Sequence, residues 1–499
     1  MFTIRYNTAM VLVSLLSCLG VVPMTGCGGG QSVSAAVSKS PNTSVNMTVS
    51  PLTQTVVAGA TAHFAATDSS GNAPAGECVW TSANSAILKA SGSGDFVAVR
   101  VGSTSVSIQC GEESASASAV VTTKSNPNAI QITAGGVYSG NWSSTDPQVP
   151  AVVVNTNDPV TLVNSTVSGK GTLILANGSG KGADLTLLNI TGTGNDPGVK
   201  GMARGAFLDA EGMSRLSVTQ CTMREVSFGI YVAGSTLDSL TISNNIGQNL
   251  DDRISDGMGG YLTDKRVLGH FIILNSSNAV NGADISWNQI TNDPGVSSIE
   301  DVINIYQSHG DSSDHIISVH DNYIQGAFAT GLTTWYTGAG IQIDGSSSTD
   351  PSLATAFVTL SNNTVVHSAG SGISIAAGHD ITVESNRVVS CGVDANRNWI
   401  DYYGSAYVMW NYYQQPDYSN NQISGNTGGM LIAGTQGLPQ VSNFDLRSLS
   451  TTLLDTASNN NMDNPCLAGG KINTAAEGAE WTAWQARVAS HSELLGDQH

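Results

Sequence analysis

Three acidic side chains, Glu300, Asp301 and Asp344, lie beside short apolar segments and could perform acid–base chemistry. Two carboxyl groups about 5–5.5 Å apart suit retaining glycoside hydrolysis, and about 6.5–9.5 Å suits inversion. Crowding of like charges raises the pKa of one carboxyl group, which then supplies a proton near neutral pH. The alternatives are calcium binding by these hard oxygen ligands, or structural hydrogen bonding alone. We predict catalytic residues that need no metal or other cofactor, with calcium as the alternative.

The segments that carry these acids show the alternation of β-strands, in which successive side chains point to opposite faces. Ile303 and Ile305 are the natural inward pair of one strand, and Ile341 and Ile343 that of the next. Asp301 is expected at a corner where the first strand starts. Neighbouring strands of a sheet lie about 4.8 Å apart, so the acids would cluster on one face. The side chains expected outward are Glu300, Val302, Asn304, Tyr306, Gln342 and Asp344.

Aromatic side chains on the same stretch could bind a glycan, because the apolar faces of sugar rings stack on flat aromatic surfaces. Residues 399–418 are unusually aromatic for a chain with only 6% aromatic residues, which favours a binding wall. Further aromatic candidates are Trp335, Tyr336, Tyr412 and Tyr413, although packing under a loop is the alternative for about half of all these rings. The residues predicted to bind substrate are Asn304, Tyr306, Gln342, Trp410 and Tyr231.

A charged insertion at residues 251–270 offers a second chemistry. In a lyase reaction a base removes the proton beside a uronate carboxylate, whose charge a cation neutralises. Lys265, Arg266 or a tyrosine could serve these roles. The sequence places no pair of cations on a strand near Glu300, so a lyase or epimerase is the second hypothesis.

The elements that must position these residues form a loose repeat between residues 128 and 441. Each unit is an alternating apolar strand that ends in Asn or a small residue, and the shortest spacings match one coil of a solenoid. Asn tolerates the left-handed conformation of a sharp turn, and stacked Asn side chains hydrogen-bond along the axis. Unit-ending asparagines are Asn189, Asn245, Asn288, Asn322, Asn363 and Asn386.

Two or three strands per coil, repeated along an axis, resemble the right-handed parallel β-helix proteins of the pectate-lyase-like superfamily. The segments that carry the resemblance are residues 300–308, 340–345 and 407–411. It implies an all-β protein with a single-stranded, right-handed parallel β-helix over residues 128–441. It also implies a carbohydrate-active enzyme, without specifying the substrate.

The N-terminal residues have the features of an export signal. Residues 1–27 combine a basic start, an apolar stretch and small residues before Cys27, and residues 24–27 resemble the lipobox of bacterial lipoproteins. By that resemblance Cys27 carries lipid and anchors the exported protein at the outer membrane or cell surface. A cleaved soluble signal with an incidental cysteine is the alternative. Residues 28–44 are expected to be a flexible linker.

A second β module precedes the repeat. Residues 45–124 show short alternating strands separated by turn residues, and they resemble bacterial Ig-like β-sandwich domains. Cys78 and Cys110 lie in this module, and export makes a disulfide between them the expected state. Cys221, Cys391 and Cys466 are expected to be buried thiols.

The C-terminal extension, residues 442–499, shows helical spacing from residue 475 to residue 495. We expect a short helix that covers the open end of the solenoid, because terminal edges of solenoids need caps. Trp481 and Trp484 are expected in its core.

Composition excludes several classes of protein. Charged residues are 11% of the chain, which is too few for a coiled coil, and the net charge of −19 argues against nucleic acid as a partner. The sequence therefore predicts a monomeric, exported glycoside hydrolase that cleaves a polysaccharide or oligosaccharide. A non-catalytic surface adhesin is the rival from another class.

Overall fold

In a computed structural model, the described residues divide into two units, one up to residue 122 and the other from residue 128 onward. None of the helices in the described part of the chain is both long and apolar enough to cross a membrane. Cys27 and the predicted signal and linker lie outside the described residues. The structure describes residues 47–57, 59–74, 77–99, 102–122, 128–177, 183–327, 338–348, 350–394, 396–400, 404–434, 438–446, 460–461, 464–491, 493 and 495–496.

The first unit is built from short strands around one apolar core. Phe96 lies at its centre, fully buried, with Phe64 and Trp80 packed edge-on against its ring. Cys78 and Cys110 occupy paired positions on neighbouring strands and form the disulfide predicted from the sequence. The strands are Thr53–Val57, Glu113–Thr122, Gly102–Cys110 and Cys78–Ser82 in a four-stranded sheet, Thr61–His63, Asp95–Ala98 and Leu88–Ala90 in a three-stranded sheet, and Thr48–Ser50 with Ala65–Thr67.

The second unit contains an 11-stranded parallel sheet in which strands pair in chain order. Equivalent residues align from strand to strand, so that Ile272, Ile303, Ile341 and Ile373 form one buried apolar row. Its strands are Ile130–Ile132, Val152–Val154, Ile174–Asn177, Leu208–Glu211, Ile230–Ala233, Ile272–Asn275, Asp301–Tyr306, Ala339–Asp344, Ile373–Ile375, Tyr407–Met409 and Phe444–Leu446.

A 23-stranded sheet is the other large sheet of this unit and shares its apolar core with the 11-stranded sheet. Its pairings are parallel except that of Pro439–Val441. The repeated return of the chain to both sheets is compatible with a parallel β-helix. Its strands are Gly136–Tyr138, Asn141–Ser144, Val160–Gly169, Ala183–Gly194, Met213–Thr219, Thr222–Arg224, Thr236–Leu237, Ser239–Ser243, Ile246–Gln248, Asn278–Ala279, Ala283–Ser286, Gln289–Thr291, His309–Gly310, Ile317–His320, Tyr323–Ala327, Ala356–Ser361, Thr364–Ser368, His379–Glu384, Arg387–Ser390, Gln422–Ser424, Thr427–Ala433, Pro439–Val441 and Asn460–Asn461.

Buried asparagines form a ladder along the 23-stranded sheet. In one step, the amide nitrogen of the Asn288 side chain donates to Oδ1 of Asn322 at 2.9 Å, and the backbone N–H of Asn288 donates to the same oxygen. The predicted stacking is thus present. Asn189 itself adopts the predicted left-handed conformation, whereas for the buried asparagines this conformation lies one residue earlier, at Trp287 and Asp321 for example, because the buried Asn itself points inward. This asparagine ladder consists of Asn245, Asn288, Asn322, Asn363, Asn386 and Asn426.

The one long helix of the described residues, Ala475–Ser490, does not cover the open end of the sheets as predicted. Near its start Glu480 pairs with Arg387, and just beyond its end His491 bonds Asn244, at 2.9 Å between Nε2 and Oδ1. These partners lie four strand spacings apart, about 19 Å, and the 11 positions from Glu480 to His491 span about 17 Å of helix. The helix therefore lies lengthwise across the strands.

Two further details of the C-terminal region can be compared with prediction. Trp484 is buried and stacks on Tyr323, in agreement with the expected core position. Cys391 and Cys466, expected as thiols, form a disulfide instead, because residues 75 positions apart are brought together beside the start of the helix. Cys221 is a buried thiol that donates to a backbone carbonyl. The remaining elements are the hairpins Arg253–Ser255 with Tyr261–Arg266 and Leu467–Ala468 with Lys471–Ile472, and the 3₁₀ turn Pro351–Leu353.

Candidate functional site

The strands Asp301–Tyr306 and Ala339–Asp344 are direct neighbours in the 11-stranded sheet, as the sequence predicted. Their register places Tyr306 beside Asp344 and Asn304 beside Gln342, so both outward faces meet. Val302, expected outward, is fully buried and belongs to the apolar core. We call Glu300, Asp301 and Asp344 the carboxylate cluster.

Asp301 lies inside the fold and not at an exposed corner, with only 3% of the residue accessible. Its Oδ1 accepts a hydrogen bond from the backbone N–H of Ala339 at 3.1 Å, and its Oδ2 accepts one from the Asn304 amide at 3.2 Å. Burial above all, and then the charges of Glu300 and Asp344, hold the pKa of Asp301 well above its ordinary value. This geometry suits a residue that positions its neighbours, and it places the predicted catalytic carboxyl out of reach of a substrate.

Glu300 is the member of the cluster that combines partial exposure with a strongly shifted pKa. Its backbone N–H donates to the carbonyl of Gly269 at 2.9 Å, and its side chain is 14% exposed. Burial raises the pKa of Glu300 to about 7, and the charges of Asp344 and Asp252 add to that effect. The nearby guanidinium of Arg266 opposes it. A carboxyl group of this kind still holds its proton in half of the molecules at neutral pH.

Asp344 ends its strand and is partly exposed. One oxygen, Oδ1, accepts hydrogen bonds from the backbone N–H of Gly345 and the hydroxyl of Tyr413, each at 2.8 Å. Burial raises the pKa of Asp344, while these two donors and the Asn304 amide oppose the rise. Donors of this kind stabilise the ionised form, so Glu300 and Asp344 occupy different electrostatic surroundings within one cluster.

His270 belongs to this site, although the sequence analysis did not select it. Its Nδ1 lies 2.9 Å from the backbone carbonyl of Asp301, and its Nε2 lies 3.5 Å from Oε2 of Glu300. Burial lowers the pKa of His270 to about 4, so the ring is neutral near pH 7. The available signal was its position at the end of the charged insertion, directly before a strand of the 11-stranded sheet.

The charged insertion contains a hairpin, and this hairpin places Arg266, one of the two predicted lyase cations, near the cluster. The strands Arg253–Ser255 and Tyr261–Arg266 pair antiparallel. The positive charge of Arg266 lowers the pKa of both Glu300 and His270. Lys265 is exposed. The lyase hypothesis thus gains one suitably placed cation.

The predicted substrate-binding residues divide into three groups. Gln342 and Tyr306 are partly exposed beside the cluster, whereas Asn304 is buried and bonds the cluster itself. Tyr231 lies two strands away from Asn304, and its hydroxyl accepts a hydrogen bond from the Asn275 amide at 3.0 Å. Trp335 and Tyr336 lie outside the described residues.

An aromatic chain leads from the cluster to the surface. Trp410 packs edge-on against Tyr412 with ring centres 5.2 Å apart, and Tyr412 packs edge-on against Tyr413 at 5.0 Å. Tyr413 in turn donates to Asp344. Tyr412 is 40% exposed. Trp410 is thus connected to the carboxylate cluster through the rings of Tyr412 and Tyr413, both of which the sequence analysis named only as further aromatic candidates.

His270, Glu300 and Asp301 are close enough to share a cation, with potential ligand atoms within 4.8 Å of one another. Calcium prefers six to eight oxygen ligands, and this group offers a nitrogen in place of one of them. Both oxygens of Asp301 already accept hydrogen bonds from the protein. The donor set therefore fits calcium poorly.

No protein-family model matches this chain, and no curated protein matches it. A shallow groove elsewhere in the second unit does not contribute to the chemistry of the carboxylate cluster, because Asp238, Asp284 and Asp314 line it and none of the cluster does.

Proposed function

We propose that this protein is a glycoside hydrolase that cleaves a polysaccharide, with Glu300 as general acid. The observation that carries the proposal is the position of Glu300 among other carboxyl groups, on a largely buried side chain that still reaches the surface, and burial there raises its pKa to about 7. A glycosidic oxygen must receive a proton as its bond breaks, and a carboxyl group protonated near neutral pH can donate one.

Asp344 supplies the second carboxylate in this proposal, as base or as nucleophile. The Tyr413 hydroxyl and the Gly345 N–H stabilise its charged form, which either role requires. Asp301 stays inside the fold, where it fixes Asn304, and Asn304 also bonds Asp344. Two carboxyl groups with different environments match the division of labour in glycoside hydrolysis.

Trp410, Tyr412 and Gln342 provide the proposed substrate surface. The aromatic rings offer apolar faces, and the Gln342 amide offers both a donor and an acceptor for hydroxyl groups. Tyr231 and Tyr306 extend the same surface over the outward side of neighbouring strands of the 11-stranded sheet.

The architecture proposed around this site is a right-handed parallel β-helix preceded by an Ig-like domain. Parallel crossover connections are right-handed in about 98% of cases, which supports the handedness. We further propose export and a lipid anchor at Cys27. Replacing Cys27 by Ser should abolish acyl labelling and release the protein from membranes, and a wild-type protein that is already soluble and unlabelled would contradict the anchor.

The decisive experiment is a glycan panel assayed for two products. Hydrolysis creates new reducing ends, whereas lyase cleavage also creates unsaturated ends that absorb ultraviolet light. Glu300→Gln and Asp344→Asn should each lower turnover by about 10²–10⁴-fold, the usual contribution of acid–base catalysis. Glu384→Gln and Asp238→Asn are matched controls on exposed carboxyl groups and should leave turnover unchanged.

Two outcomes would replace this proposal. Unsaturated products whose formation depends on Arg266 would establish the lyase, which the charge of Arg266 near Glu300 specifically favours. Glycan binding without any product across the panel would favour the adhesin. Near-normal turnover of both carboxyl variants on a confirmed substrate would remove the cluster from catalysis.

A further inference from the structure

His270 is a fully buried histidine whose two ring nitrogens face groups of different kind. Its side chain is 4% exposed. Nδ1 lies 2.9 Å from the backbone carbonyl oxygen of Asp301, which can only accept a hydrogen bond. Nδ1 therefore carries the proton and donates it to that carbonyl. In the neutral ring, Nε2 is then left with a lone pair.

That lone pair faces Glu300. The distance from Nε2 to Oε2 of Glu300 is 3.5 Å, at the long end of hydrogen bonding, and such contacts tighten when a substrate binds. An ionised Glu300 would present a second acceptor to this lone pair, so the contact is attractive only when the carboxyl group carries its proton.

We propose that His270 is a positioning residue for Glu300: its neutral Nε2 accepts a hydrogen bond from the protonated carboxyl group, which holds the acid ready and orients it. The proposal concerns the ground state of the protein, and its consequence for turnover rests on the glycoside hydrolase function proposed above. In each turnover the proton leaves Glu300 for the glycosidic oxygen. If Asp344 is the nucleophile, Glu300 regains a proton from the water that hydrolyses the intermediate; if Asp344 is the base, it takes the proton of the attacking water, and Glu300 regains one from bulk water.

The charged groups around His270 favour a neutral ring over an imidazolium paired with an ionised Glu300. Arg266 repels a second positive charge, and burial removes the water that would stabilise it. Glu300 in turn faces Asp344 and Asp252, whose charges favour its protonated form. The Phe228 ring lies 5.8 Å from the imidazole and adds no charge. The lowered pKa of His270 and the raised pKa of Glu300 agree with this assignment.

Two substitutions separate the two nitrogens. In His270→Asn the side-chain amide can still donate to the Asp301 carbonyl, but nothing replaces Nε2. In His270→Gln the longer side chain reaches toward Glu300, and its carbonyl oxygen can accept the carboxyl proton. Glu384→Gln is the control for an exposed carboxyl group that His270 does not face.

The first readout requires no substrate. In the full chain with ¹⁵N-labelled histidines, nine in all, the His270 signals are those absent from His270→Asn. We expect Nδ1 protonated and Nε2 unprotonated at pH 6, with an Nε2 shift that moves as Glu300 loses its proton near pH 7. In Glu300→Gln that movement should vanish. An imidazolium at pH 7, or a proton on Nε2 in place of Nδ1, would overturn the proposal.

The second readout is the pH profile of kcat/KM on a glycan found in the panel. Loss of the Nε2 acceptor in His270→Asn should move the basic limb about one pH unit lower, with about a fivefold loss at pH 7 and little change at pH 5. His270→Gln should restore most of the limb. A uniform loss at all pH values would overturn the positioning role. Absence of any cleavage would refute the glycoside hydrolase and leave the NMR result to decide on His270.

Discussion

The asparagine ladder and the carboxylate cluster are two groups of polar side chains on different sheets of one unit, and they are built on opposite principles. In the ladder, Oδ1 of Asn322 accepts two hydrogen bonds from Asn288, and its amide donates onward to Asn363 and to a backbone carbonyl. Every group is neutral and paired. In the cluster, Glu300 and Asp344 are like charges with raised pKa values.

The difference shows that the asparagine ladder stabilises this fold and that the carboxylate cluster destabilises it. Paired neutral amides stabilise neighbouring coils without any dependence on pH. Crowded carboxyl groups destabilise the folded state once they ionise, and Oδ1 of the buried Asn304 accepts no hydrogen bond within the described part of the chain. Functional sites typically contain such destabilising arrangements, here crowded carboxyl groups and a buried amide oxygen without a hydrogen-bond donor among the described residues.

The largest expected effect comes from breaking the ladder. Asn322→Ala removes the acceptor of two donors on Asn288 and the donor to the Ile285 carbonyl, all of them buried. Each unsatisfied group costs about 1–3 kcal/mol, so the free energy of unfolding should fall by about 4 kcal/mol. Denaturant unfolding of the full chain measures this loss. The exposed Asn281→Ala is the control. An equal loss of unfolding free energy in that variant would mean that the ladder does not stabilise the fold more than an exposed asparagine does.

The second effect, unlike the first, depends on pH. The folded protein binds the Glu300 proton more tightly than the unfolded chain, because the pKa is about 7 in the fold and 4.5 outside it. The stabilisation that the fold gains by binding this proton is therefore fully present below pH 4.5 and is lost as the pH rises to about 7. The loss in the free energy of unfolding is on the order of 3 kcal/mol. Melting temperatures of wild type and Glu300→Gln from pH 4.5 to 7.5 should converge at low pH, with the variant more stable at high pH.

Asn322→Ala is the control for that experiment, because its loss should be the same at every pH. A Glu300→Gln protein whose melting temperature falls with pH as steeply as that of the wild type would mean that Glu300 is not the group that titrates.

Alternation and repeat spacing predicted the inward residues of the fold. Ile303, Ile305, Ile341 and Ile343 are all fully buried, since their strands have a period of two and a core on one side. The path of the C-terminal helix could not be predicted in this way. Its position depends on pairs such as Arg387 with Glu480, 93 residues apart, and no local pattern reports such a distance.

The candidate site was predictable only where strand register decides it. Tyr306 and Asp344 became neighbours through the pairing of two recognisable strands. His270 and Arg266 reach the cluster from a hairpin insertion, whose direction depends on tertiary contacts. Asp301 was placed at a corner because its buried partners, the Ala339 N–H and the Asn304 amide, have no signature in the sequence.

A third prediction concerns a carboxyl group outside the cluster whose raised pKa should also make stability fall as the pH rises. Asp209 lies on the strand Leu208–Glu211 of the same sheet, and burial, assisted by Glu211, raises its pKa to about 6. Stability should therefore fall as the pH rises from 3.8 to about 6, and by less than for Glu300 because the pKa shift of Asp209 is smaller. Asp209→Asn should flatten the melting temperature between pH 4 and pH 6.5 without changing turnover. Lost turnover would extend the catalytic site to this strand.

The smallest effect should come from Tyr413→Phe, which removes one hydrogen bond of 2.8 Å from Asp344 and leaves the ring in place. That hydroxyl stabilises the ionised carboxylate, so its loss raises the pKa of Asp344 further. If Asp344 acts in its ionised form, the acidic limb of kcat/KM should move up by about half a pH unit to one unit, with the basic limb unchanged. Tyr138→Phe, which removes a hydroxyl hydrogen bond to the Ala134 carbonyl, is the control and should move neither limb. The two limbs then report separately on Asp344 and Glu300, so a shift of the basic limb in Tyr413→Phe would mean that their roles are exchanged.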